Sequence, residues 1–241
     1  MPVQAELIKT DQHEDTFLQG VKDCLPTLLG YISIGFAFGI VGVASNLTIL
    51  EISLLAILVY AGSAQFIICA LLVVNTPLSA IILTTFIVNL RHLLLSLTLA
   101  PYFTKYSTAK NIGIGALLTD ESFGVAVTKI AQTGKLNEKW MNGLNITAYL
   151  FWIIACMLGA ICGQWISNPE ALGLDFALVA MFIALLVLQL QNVASKKLKH
   201  NLSLIAYMVI AMILLSFFVP THVAVILATV IVATIGVVTD K

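Results

Sequence analysis

Apolar runs recur along this chain from about residue 25 onward, each close to the roughly 20 residues a helix needs to cross about 30 Å of hydrocarbon. The separators are short and carry turn residues: Ser45-Asn46, Asn75-Thr76-Pro77, Asn168-Pro169-Glu170, Ser195 to Asn201 and Pro220-Thr221. Lipid offers the backbone no hydrogen-bond partners, so such runs are read as helices. They predict spans near 25–44, 47–74, 78–99, 143–165, 174–190, 201–217 and 221–238. A further segment over 112–131 either crosses or dips in and returns. The expected fold class is all-α, a polytopic integral membrane protein with seven or eight transmembrane helices, at least one of them broken or re-entrant.

Composition agrees with a lipid solvent. Of 241 residues, 60% are apolar and 10% charged, and the mean hydropathy is +1.02; soluble domains run near 45–50% apolar and about 25% charged. Twelve Lys and Arg balance twelve Asp and Glu, so no basic field exists to attract nucleic acid. The four cysteines lie in or beside apolar runs without a CxxC, which reads as small buried hydrophobes rather than a disulfide frame or metal site. Residues 1–24 are polar, carry Glu6, Asp11, Glu14, Asp15 and Asp23, and lack the basic start and early apolar core of a signal peptide. They are expected to form a polar N-terminal tail ahead of a single transmembrane domain over 25–241.

The positive-inside rule does not choose an orientation. If 112–131 crosses, an N-inside arrangement strands Lys105 and Lys110 outside; if it dips and returns, an N-outside arrangement gathers the lysine clusters inside but strands Lys9 and Lys22. Close helix packing is signalled by Gly35-x-x-x-Gly39 and Gly159-x-x-x-Gly163, where small residues let backbones approach. Each pair precedes a glycine-containing segment, Gly62-Ser-Ala-Gln65-Phe66 and Gly173-Leu-Asp175-Phe176. With 112–131 re-entrant and three spans on either side of it, an inverted repeat is an open reading.

Ionisable groups at membrane depth cost about 2.5–3.5 kcal/mol each on insertion scales, so each one asks for a reason. Tyr60-Ala-Gly-Ser-Ala-Gln-Phe66 sits inside a 28-residue run that as one helix would be about 42 Å long. Its small residues either let the helix unwind, freeing backbone groups and Gln65 for a ligand, or belong to a tilted helix whose Gln65 bonds a neighbour. Asn89-Leu-Arg91-His92 lies near the middle of the next run. Arg91 stays charged and must find a carboxylate, carbonyls or water, either in an ion pair with Asp120, Glu121 or Asp175 or as a fork receiving a substrate carboxylate. His92 can carry a proton or simply bond a helix partner, and Asn89 shares its face. Asp120 and Glu121 point about 100° apart on a helix, so one can face Arg91 while the other faces a cavity; alternatively both lie on a half-inserted helix that reaches headgroup water. Asp175 starts a span, where it can also serve as a helix N-cap.

In order and spacing, Gly35-Phe-Ala-Phe-Gly39, Tyr60 to Phe66, Asn89 to His92, Thr119-Asp-Glu-Ser-Phe123 and Gly173-Leu-Asp-Phe176 resemble the AzlC family, the large subunits of bacterial branched-chain amino acid exporters. The resemblance covers the chain from about Gly30 onward; Phe151-Trp152 stands where a doubled tryptophan is expected, and the tail is longer and more acidic. It implies export of leucine, isoleucine and valine, with methionine a further candidate, across the bacterial inner membrane under an ion gradient. It also implies a small hydrophobic membrane subunit of the AzlD type, and no cofactor or metal. On that basis Gly62, Ser63, Gln65, Phe66, Asn89 and Arg91 are expected to bind substrate, and His92, Asp120, Glu121 and Asp175 to couple a proton or ion. An intramembrane hydrolase is disfavoured, because HExxH and GxSxG are missing. A channel or scaffold subunit whose partner carries the substrate path is the alternative.

Overall fold

The computed structural model describes residues 16–166, 195–219 and 221–239, with scattered positions between 176 and 190. Among the described residues the regular structure is helical: α1 (Phe17–Ala44), α2 (Ile49–Leu54) running into a π-helical turn (Leu55–Val59), α3 (Gly62–Val73), α4 (Leu78–Leu99), α5 (Thr108–Ala116), α6 (Asp120–Thr133), α7 (Glu138–Gly163), α8 (Ser195–Ser216) and α9 (Thr221–Thr239). Four stretches among the described residues are long and apolar enough to cross a membrane: Phe17–Ala44, Leu78–Phe103, Glu138–Gly163 and Lys197–Ser216. The expected span at 174–190 lies largely outside the described residues. The chain divides into two compact units, Met1–Leu178 and Val179–Lys241, and in the second α8 packs on α9.

Helix α1 starts at Phe17, inside the stretch expected as a polar tail, because the Thr16 hydroxyl caps it by accepting from Gln19 N–H. Its main partner is α7. The two run parallel: Gly20 meets Trp140 and Leu144, while Gly39 meets Cys156 and Ala160. A Cβ on Gly39 would stand 2.2 Å from the Cys156 carbonyl oxygen, and one on Gly159 would stand 2.1 Å from that of Phe36. The two glycine pairs singled out in the sequence therefore mate with each other, as small residues do where helix backbones touch.

The segments 47–74 and 112–131 are both broken, and in both the chain doubles back. Leu55 and Gln65 on one straight helix would be about 15 Å apart along its axis, yet Gln65 Nε2 donates to the Leu55 carbonyl at 2.7 Å. The turn uses Tyr60 in the left-handed region (φ 41°) and an extended Ala61. Ile52 packs on Gly42 and Phe66 on Phe38, so the open end of this first hairpin lies toward the C-terminal end of α1. In the second hairpin the break at Leu117-Leu118 ends on Thr119, whose hydroxyl caps α6 in a reciprocal pair with Ser122. Its open end lies toward the N-terminal ends of α1 and α7: Lys110 Nζ meets Glu138 Oε2 at 2.8 Å, Lys129 lies over the Trp140 ring, and Trp140 Nε1 donates to Asp23.

Hairpin followed by long helix thus occurs twice, over 49–103 and 108–163, with the hairpins opening toward opposite ends of α1. This also places Lys22, Lys110 and Lys129 toward one end of the first unit, an arrangement neither sequence-based orientation contained, since both took 47–74 to cross.

Candidate functional site

The closed tips of the two hairpins meet at the level of Tyr31, halfway along α1. Tyr31 hydroxyl bonds the Thr119 hydroxyl at the second tip, and its ring stands edge-on to Trp152. Trp152 in turn closes over Gly62, where a Cβ would come within 2.9 Å of its ring. Tyr60, at the first tip, packs edge-on against Tyr149 with centroids 4.8 Å apart.

Each tip ends in the N-terminus of a helix, at Gly62 for α3 and Asp120 for α6. The first N–H groups of a helix lack intrahelical partners and carry partial positive charge, which suits anions. Arg91, from α4, joins the two tips: it donates through Nη2 to Ser63 Oγ at 2.7 Å and pairs with the Asp120 carboxylate at 3.0 Å. The pair is only partly buried, with side-chain exposures of 28% and 18%, so the guanidinium has an open side. Its Nε has no protein partner. Of the two described carboxylates that the sequence offered, Asp120 is the one that ion-pairs with Arg91.

Glu121 makes no ion pair with Arg91 but reaches the Thr119 side chain and lies within electrostatic reach of Tyr31 and Tyr60 as well as of Asp120 and Arg91. Two adjacent acids thus face two different surroundings at the tip of a hairpin, and not at its open end as a half-inserted helix would have them. His92 lies within reach of both Arg91 and Asp120. Asn89 Oδ1 is buried without a protein partner. Ser63, Gln65 and Phe66 are buried in the first turn of α3. Asp175 lies outside the described residues.

Freed carbonyls at the breaks are met by side chains, as a water-poor interior requires. Gln65 Nε2 takes Leu55, Tyr149 hydroxyl donates to Ile57 at 2.9 Å, and Asn145 Nδ2 donates to Ile114 at 3.1 Å. Sequence reading missed Tyr31, Asn145, Tyr149 and Trp152. The only signal was a polar atom inside an apolar run, and for tyrosine and tryptophan that is too common to mark a site.

A protein-family model described as AzlC protein matches residues 26–166. An Escherichia coli protein named inner membrane protein YgaZ is 31% identical over 183 residues, covering 73% of this chain and 74% of that one. An uncharacterized membrane protein of Archaeoglobus fulgidus is 29% identical over 179 residues, 73% of this chain and 77% of that one. The Bacillus subtilis branched-chain amino acid transport protein AzlC is 24% identical over 189 residues, 78% of this chain and 73% of that one. No solved structure matches the chain. The chain belongs to the AzlC family of multi-pass membrane proteins.

Proposed function

We propose that this AzlC-family protein is the large subunit of a secondary transporter that exports leucine, isoleucine, valine and methionine across the bacterial inner membrane, driven by an ion gradient. The observation that carries the proposal is Arg91 held between two half-helix N-termini, a combination suited to the carboxylate of an amino acid. The name of the Bacillus subtilis relative supports the substrate class.

In this scheme the substrate carboxylate approaches Arg91 and the N–H groups at Gly62 and Ser63, competing with Asp120. Asp120 or Glu121 then receives the ammonium group or exchanges a proton with His92 nearby, and Asp175 contributes to coupling. Gln65 holds the first tip in shape, Asn89 offers a free acceptor, and Phe66 belongs to the apolar wall for the branched side chain.

The two hairpins dip into the bilayer from opposite faces while α1, α4 and α7 cross it, so that the paired hairpin-helix units form an inverted repeat and the region from 25 onward works as one transporter domain, counting eight membrane segments with 174–190. Lys22, Lys110 and Lys129 then share one face, which the positive-inside rule assigns to the cytoplasm. A small hydrophobic AzlD-type subunit completes the transporter.

The test is efflux of preloaded labelled leucine from cells expressing this chain with and without the small subunit, with and without an uncoupler. Partner-dependent, uncoupler-sensitive efflux is expected. Efflux carried by the partner alone would support instead a scaffold role for this chain, and its absence for every branched-chain amino acid from folded protein would contradict the substrate.

A further inference from the structure

Helix α4 is amphipathic in the sense opposite to a helix of a soluble protein. Ile82, Phe86, Leu90, Leu93 and Leu97 are exposed, while Thr85, Asn89, His92 and Ser96, spaced by four, three and four residues, share the inner face. Arg91 leaves the helix beside this stripe. Thr85 Oγ1 and Asn89 Oδ1 are buried with no protein partner.

The same spacing recurs in the second hairpin-helix unit, sixty residues further on, as Asn145, Tyr149, Trp152 and Cys156 on the inner face of α7. There Asn145 Nδ2 and the Tyr149 hydroxyl donate to the carbonyls of Ile114 and Ile57, while Asn145 Oδ1 and Trp152 Nε1 are buried without a protein partner. The α4 groups at the matching positions are not so engaged.

At its Ser96 end the stripe opens into a cleft of about 360 Å³ between α4 and α5. Ser96, Phe103, Thr108, Asn111, Gly115 and Leu118 are among its lining residues. It therefore extends from the open end of the second hairpin, at Thr108, to the residue preceding Thr119 at the tip. Asn111 donates through Nδ2 to the Phe103 carbonyl at 3.2 Å, while its Oδ1 is buried and unpartnered. Sites for small molecules run to about 300–1,000 Å³, with apolar walls and a few placed polar groups.

We infer that this cleft is the aqueous vestibule by which a small amphiphilic zwitterion passes between the basic face of the protein and Arg91, with the Ser96 and His92 part of the α4 stripe as its path and Asn89 beside its inner end. The inference rests on the transporter reading above and adds the route. Leu99, Phe103, Ile114 and Leu118 give an aliphatic side chain an apolar wall, and the free oxygens of Asn111 and Asn89 accept from an ammonium group. A lipid acyl chain has the same apolar fit but no use for those oxygens, and would keep water out.

The test uses the full chain in membrane vesicles opened to both faces, with Cys162→Ser removing the one partly exposed native thiol among the described cysteines. Ser96→Cys, Asn111→Cys and, on the exposed face of α4 outside the cleft, Leu93→Cys are each treated with a charged methanethiosulfonate. Reaction at 96 and 111 at least about tenfold faster than at 93 is expected, since thiol reactivity follows access to water, and millimolar leucine should slow it. Should Asn111→Cys fail to fold, the exposed Thr108→Cys at the cleft mouth takes its place. Rates at the cleft positions no faster than at Leu93→Cys, in protein of normal size-exclusion profile, would overturn the vestibule and indicate lipid. Fast reaction slowed by some other small solute but not by leucine would uphold the vestibule and contradict the branched-chain substrate.

Discussion

Arg91 Nη2 lies 2.7 Å from Ser63 Oγ and 3.0 Å from Asp120 Oδ2, so one side chain ties together the tips of two hairpins that open toward opposite ends of the same helix. Any ligand that takes the guanidinium from Asp120 must loosen this tie. Binding and tip separation are then one event, which is what an alternating-access site needs.

Removing one partner of this ion pair leaves an uncompensated charge at depth, which in buried pairs costs about 3–5 kcal/mol; the partial exposure here reduces that figure. Asp120→Asn is therefore expected to lower the thermal midpoint of the purified protein. The double variant Arg91→Gln with Asp120→Asn should recover most of the loss. Melting followed by fluorescence-detected size exclusion reads both, and a double variant no more stable than the single one would contradict the pairing.

Gly39 tests the α1–α7 seam. Any side chain there collides with the Cys156 carbonyl, which is backbone and cannot move aside cheaply. Gly39→Val should abolish monodisperse protein, whereas Gly30→Ala, where an added Cβ meets nothing within 4 Å, should leave yield and melting unchanged. Equal tolerance at the two positions would argue against the seam.

Cysteines in place of Lys110 and Glu138 test whether the second hairpin returns to the end at which it began, since the native side chains meet at 2.8 Å. A short bis-maleimide, bridging the span of the two long native side chains that a disulfide with its Cα separation of about 4.4–6.8 Å does not, should cross-link the pair within one chain; Lys110→Cys paired with a cysteine at Leu158, toward the other end of α7, should not be cross-linked. Cross-linking of the distant pair alone would mean that 108–133 crosses.

Gln65→Leu removes the 2.7 Å donor to the Leu55 carbonyl, which keeps the Tyr60 N–H at 3.3 Å, so the expected loss is that of one hydrogen bond, about 0.5–1.5 kcal/mol. Tyr149→Phe takes the hydroxyl donor from the Ile57 carbonyl at a more exposed place, with a smaller expected loss. Melting temperatures of the two variants should fall in that order; a stable Gln65→Leu would show the first tip to be held by other contacts.

Much of the fold was legible in the sequence because hydropathy acts locally. The runs at 78–99 and 221–238 became helices over nearly those residues, and the excess length of 47–74 together with Gly62 signalled a break. That the chain turns back within 47–74 was not legible, and for 112–131 crossing and returning both stayed open. Direction there is set by contacts between residues far apart in the chain, such as Ile52 with Gly42 and Lys110 with Glu138, and no local periodicity encodes them. In the site, Arg91 and Asp120 stood out because charge is rare in lipid. Tyr31 did not, although both tips meet it, because a tyrosine in an apolar run has many ordinary uses.

The most direct test of the central claim is leucine efflux by the Arg91→Gln, Asp120→Asn double variant, co-expressed with the small subunit and compared with the wild-type chain at matched abundance in the membrane. Loss of at least about tenfold in rate, the worth of some 1.4 kcal/mol, from protein as stable as the wild type is the predicted result. Efflux at the wild-type rate from that variant would show that the substrate does not use Arg91 or Asp120, and would remove the meeting point of the two tips from the transport path.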